Sequence, residues 1–150
     1  MGPAMDETTL FNLAQRYVGR AYVPGRFDCA DLACMVQREL FGRDVAMPSH
    51  AQRPASVARA GGSAIARLRD QLAEPLAQPA TGCAVMFWEP AGDTAHDVRR
   101  WHVGTVFMRG AEAWVLHNSR ATTGAALQRL ADLQRLGLRL DGFYTWKDAA

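Results

Sequence analysis

The spacing of apolar residues changes part-way along this chain. Up to residue 76 they recur every three or four positions, as at Leu10, Leu13, Ala14 and Tyr17, then Leu32, Met35, Val36 and Leu40, then Ile65, Leu68, Leu72 and Leu76. That period lays them along one face of a helix. From Gly82 onward that period gives way to segments of strand length, the apolar run GCAVMFW and then HVGTVF among them. Helices first and strands afterwards predict an α+β fold, with N-terminal helices packed on a small antiparallel sheet, and not an alternating βαβ chain.

The element boundaries follow from the same signals. Helices are expected over Asp6–Tyr17, capped by Asp6 or Thr8, over Cys29–Phe41, stopped by Gly42, and over Ser63–Leu76, closed by Pro75 and Pro79. Met47–Pro54 reads as a loop and Ser56–Ala60 as a short helical turn. Cys83–Trp88 reads as a strand and Glu89–Arg100 as a polar loop. His102–Met108 and Ala113–His117 form a hairpin about Arg109-Gly110. Leu127–Leu136 has helical spacing, and Leu138–Trp146 closes the chain as a strand.

With 150 residues the chain is read as one domain, residues 1–150, large enough to bury roughly 70% of its unfolded surface. Residues 1–5 are expected to be disordered or a cloning remnant, with Met5 as the native start. Seventeen Lys+Arg against 15 Asp+Glu leave a net charge of +2, and no basic block stands out, so nucleic acid is not an expected partner. No apolar run approaches the length of a membrane span, and no signal peptide is recognisable. Synthesis in the cytoplasm is the expectation. The three cysteines lack CxxC spacing, which argues against a disulfide framework or a zinc site and for a reducing compartment. No metal or cofactor is expected.

One cysteine is placed unlike the other two. Asp28 is suited to cap the second helix, and Cys29 then occupies its first turn. The helix dipole favours negative charge there, so the thiolate, the nucleophilic form, is stabilised. Cys34 lies mid-helix and Cys83 opens an apolar run, so both read as buried structural cysteines. A cysteine nucleophile needs a base oriented by a third group. His102 opens one strand of the expected hairpin and His117 closes the other, which makes them neighbours across the sheet, one to face the thiol and the other to fix its tautomer. His50 and His96 fall in loops with no evident partner. Loops 43–63 and 89–100 adjoin these elements and are expected to frame a cleft. Arg99, Arg100 and Trp101 precede His102 and read as a solvated loop end, with an anionic peptide contact as the functional alternative.

Together these residues resemble the NlpC/p60 family of papain-like cysteine peptidases. AYVPGRFDCADL matches the family's turn and Asp-Cys helix start through Tyr22, Gly25, Asp28 and Cys29. MPSHAQ is similar to its loop after the helix, GCAVMFW to its following strand, HVGTVF to its His-Val-Gly strand, and WVLHNSR and DGFYTW to its later strands. The resemblance runs from about residue 8 to residue 147. It departs at Ala30-Asp31, where many members have Ser-Gly, and at Cys83, where an acidic residue is usual; Asp31 is expected to repel an acidic ligand.

The resemblance implies a papain-like fold and a Cys29-His102-His117 triad working as a thiolate–imidazolium pair. It places the substrate or oxyanion contacts at the helix start, at Asp28, Cys29 and Ala30, and at Tyr22. Its implied substrate is a peptidoglycan stem peptide cut at a bond such as γ-D-glutamyl–diamino-acid. A phage tail or secretion-apparatus protein is the implied partner that delivers the enzyme to the wall. The alternatives are a non-enzymatic tail component with the same fold, and an amidase or acyltransferase acting on another small amide.

Overall fold

A computed structural model of the chain describes residues 5–50, 57–58, 68–90 and 99–148. It is a small α+β protein. Helix α1 spans Glu7–Ala14 and continues as a 3-10 turn over Gln15–Tyr17. Asp6 caps it, its side chain accepting from the Thr9 amide at 2.7 Å. Helix α2 spans Cys29–Phe41 and ends on Gly42, whose φ of 64° takes the left-handed conformation open to glycine. Residues 68–72 are helical (α3). Residues Leu130–Arg135 form α4.

The strands are β1 Val57–Ala58, β2 Ala73–Leu76, β3 Ala84–Pro90, β4 Arg99–Arg109, β5 Glu112–Ser119, β6 Gly124–Arg129 and β7 Arg139–Trp146. They form one antiparallel sheet in the order β2-β7-β3-β4-β5-β6, with β1 attached to the start of β4. β5 pairs with Thr105–Arg109, so β1 lies beside the part of β4 that β5 does not reach. The final strand is not an edge: β7 sits between β2 and β3.

The sheet has two covered faces. On one, α1 and α2 bury Leu10, Phe11, Leu32 and Val36 against Phe107 and Leu116, and Ala33 meets Met86, Trp101 and Val103. On the other, Leu133 of α4 packs on Val85, Phe87, Val106 and Val115. The period-two pleat produces this division: in β4, Trp101, Val103 and Phe107 face α2, and Val106 faces α4. Gln37, fully buried in α2, donates to the Gly82 carbonyl at 2.9 Å and ties the helix to the turn before β3.

Several expected boundaries differ. Ala73–Leu76 is not helical; it is an edge strand paired with Phe143–Trp146. Pro75, which lacks an N–H, is tolerated there because one side of an edge strand has no ladder to supply. Gly124–Arg129 is likewise strand, paired with Trp114–Ser119, so the helix expected over 127–136 shrinks to α4. Val57–Ala58, expected in a helical turn, pairs with Arg99–Arg100. Glu89, Pro90, Arg99 and Arg100 extend β3 and β4 into the stretch expected to be a polar loop, and Trp101 is buried within β4, not at a solvated loop end. The rest of that loop, His96 included, and residues 63–67 lie outside the described residues.

Candidate active site

The start of α2 is built by local bonds that the sequence anticipates. Asp28 Oδ1 accepts from the amides of Ala30 at 3.0 Å and Asp31 at 3.1 Å, and Asp31 Oδ2 accepts from the Asp28 amide at 2.8 Å. This is a reciprocal capping box, with aspartate in place of the usual glutamate. The preceding turn is closed by paired backbone bonds between Val23 and Phe27, with Gly25 at φ 74° supplying the tight reversal. Asn118 Nδ2 donates to the Phe27 carbonyl at 3.3 Å, fastening that turn to β5. Cys29 is thereby fixed at the positive end of a 13-residue helix. The amides of Asp28 and Ala30, expected to help hold substrate or oxyanion, are already engaged by Asp31 and Asp28 respectively.

The histidines meet as the hairpin predicts. His102 Nε2 lies 2.7 Å from His117 Nδ1, with the rings edge-to-face at 4.9 Å between centroids. They are diagonal neighbours, not a directly opposed pair, because His117 falls beside Gly104. A Cβ on Gly104 would lie 3.3 Å from the His117 Cβ and 2.4 Å from Val115 Cγ1. His117 is 2% exposed, and its Nε2 lies 2.7 Å from Gln128 Oε1.

That last contact orders the protons. An amide oxygen only accepts, so His117 Nε2 carries hydrogen and its Nδ1 is the acceptor. His102 Nε2 then donates to it, and His102 Nδ1 is left with the lone pair. Burial, and then the neighbouring His117, hold the His102 pKa down to about 3. Burial also lowers that of His117, against the opposing Gln128 bond. Both rings are therefore neutral near pH 7, so the expected resting imidazolium at His102 is not favoured. Gln128 was hidden from sequence reading because it fell in a stretch read as helix. Its place on β6, beside β5, is what brings it to His117.

Cys29, Tyr22, Asp28, Ala30 and His102 all line one cavity of about 380 Å³; His117 stands behind His102 and does not. The pleat gives these residues two approaches to it. Cys29 enters on the α2 face, packing with the Trp101 and Val103 cluster. His102 comes from the alternate position on β4, its ring 6.5 Å from that of Phe87, which belongs to the α4-side cluster.

His50, expected to lack a partner, does have one. Its Nε2 donates to Asp31 Oδ2 at 2.7 Å, and its Nδ1 lies 3.9 Å from Asp28 Oδ2. It lines the same cavity. Asp31 thus holds a histidine and closes the capping box, where the sequence suggested a bare repulsive charge. Donor atoms of Asp28, Asp31 and His50 all lie within 4.8 Å of one another, but the cap and the His50 bond already use these oxygens, and no metal is assigned. Arg120 lies over the Tyr22 ring at 5.8 Å.

Comparisons with protein-family models, with curated proteins and with solved structures each returned no match. The site is therefore argued from its own chemistry. Among the described residues, no helix is long and apolar enough to cross a membrane.

Proposed function

We propose that the protein is a cysteine-dependent hydrolase of amide bonds, with Cys29 as nucleophile and His102 as its base. The observation that carries this reading is that a cysteine at a capped helix start shares a cavity wall with a histidine whose tautomer is set by a second histidine and a glutamine. With His102 neutral, the thiol proton passes to His102 Nδ1 as Sγ bonds to the substrate carbonyl carbon. The oxyanion is held by the Cys29 amide and Tyr22. His102 then gives the proton to the departing amine, leaving a thioester. Water adds next, its proton going to His102 and back to sulfur as the acid is released.

The substrate that the NlpC/p60 resemblance suggests is a peptidoglycan stem peptide, and a phage tail or secretion-apparatus protein is the suggested carrier. A second reading of the base has an observation in its favour: His50 lines the cavity, is bonded to Asp31, and adjoins Asp28 at the start of the cysteine's helix. In that reading His50 takes the thiol proton, and the His102-His117 pair is structural.

The test is mass spectrometry of stem peptides and model amides incubated with wild type, Cys29→Ala, His102→Ala and His50→Ala. Cleavage lost in Cys29→Ala and His102→Ala but kept in His50→Ala supports the first reading. The reverse order for the two histidines transfers the role to His50. Cleavage that survives in Cys29→Ala overturns the nucleophile. No cleavage together with an inert Cys29 favours a non-enzymatic assembly role.

A further inference from the structure

The cavity beside Cys29 has polar and apolar walls. Tyr22, Asp28, His50 and Arg120 contribute polar groups. Its apolar walls are Leu72, Met86, Trp101, Val103, Tyr144 and Trp146, drawn from α3, β3, β4 and β7. Most of these belong to one apolar cluster, against which Cys29 itself packs. Two further polar side chains among the walls, Arg69 and Tyr144, are occupied: both bond Asp141, and Arg69 also bonds Asp70.

The indole nitrogens of Trp101 and Trp146 have no hydrogen-bond partner but are sealed from the cavity as well as from solvent, in side chains that are 9% and 6% exposed, so these two residues present ring carbon to it. The volume, about 380 Å³, falls in the range of small-molecule sites, which combine apolar walls with a few placed polar groups.

We infer that the substrate of Cys29 carries a bulky aliphatic or aromatic group that packs against these apolar walls. The inference rests on the reading of Cys29 as nucleophile and narrows its substrate class. A stem peptide, whose side chains are short or charged, fits these walls less well than an amide flanked by a large apolar group.

Two measurements test it separately from that reading. In the first, N-methyl, N-hexyl and N-phenethyl chloroacetamide are compared as labels of Cys29. In each case sulfur bonds to the methylene carbon, chloride leaves and the thiol proton passes to the base or buffer. The hexyl and phenethyl reagents are expected to label at least tenfold faster than methyl, and Leu72→Glu, which puts a charge in the wall, is expected to bring the ratio towards one.

In the second, unreactive N-hexylacetamide is titrated into Cys29→Ser while the indole N–H signals are followed by NMR; two of the four tryptophans are expected to shift. Equal labelling rates across the series with unmoved indoles overturn the apolar site and leave the nucleophile standing. A Cys29 inert to all three reagents overturns the underlying reading, and this inference with it.

Discussion

His102 and His117 are joined through Nε2 and Nδ1 at 2.7 Å, and the direction of that bond is set by Gln128 at the other nitrogen of His117. Replacing Gln128 with alanine removes the acceptor of a 2%-exposed histidine. A buried donor left unsatisfied costs about 1–3 kcal/mol, so chemical denaturation of Gln128→Ala is expected to show a loss of that size. Nitrogen NMR of the imidazoles should also show His102 losing its single tautomer. An unchanged tautomer would mean that Gln128 does not direct the pair.

Acid should weaken the fold through the same histidines. The His102 pKa is depressed to about 3 in the folded chain, against 6.5 for the free side chain. Between those values the unfolded chain binds a proton that the folded chain refuses, so stability is fully present above about pH 6.5 and is lost as pH falls toward 3. The slope from one such group is at most about 1.4 kcal/mol per pH unit. Denaturation midpoints measured from pH 7 to pH 4 are expected to fall, and His102→Gln is expected to flatten the dependence. A wild-type profile that is flat across this range would contradict the burial of a neutral His102.

Gly104 is the hinge of the pair. An added Cβ would meet Val115 Cγ1 at 2.4 Å and the Leu116 carbonyl at 3.2 Å. Such overpacking typically costs about 1–3 kcal/mol. Gly104→Ala should therefore unfold at lower denaturant and disturb the His117 signals. A variant as stable as wild type would show that the β4–β5 pair has room to part.

The three thiols should react in a definite order. Cys83 is 4% exposed, and burial pushes its pKa up. Cys34 is half-buried in mid-helix, and Cys29 lines the cavity. With iodoacetamide at neutral pH and peptide mapping, Cys29 is expected to be modified first and Cys83 only after unfolding. Labelling of Cys83 ahead of Cys29 would refute the assignment of the reactive thiol.

What was legible in the sequence was what local chemistry decides. The Asp28 cap, the Gly42 stop, the Arg109-Gly110 hairpin and the meeting of His102 with His117 all depend on residues close along the chain or on one turn. The misread stretches are those where distant pairing outweighs local period. Ala73–Leu76 continues the helical stripe of Leu68 and Leu72, yet its backbone bonds to residues 143–146. Leu127 shares a helical period with Leu130 and Leu133, but Leu127 packs with the α1–α2 cluster while the other two pack on the opposite face. His50 was missed for a related reason: its partner Asp31 lies 19 residues away, across a loop with no period to read.

The placement of β7 between β2 and β3 bears on when the chain becomes competent during its synthesis. Cys29 and its cap are made early and need only neighbouring residues. The far wall of the cavity, Tyr144 and Trp146, is made last and enters the interior of the sheet. A growing chain therefore displays the thiol well before it has a chamber to work in. The cavity wall that Tyr144 and Trp146 supply is complete only once this interior strand is seated between its two neighbours.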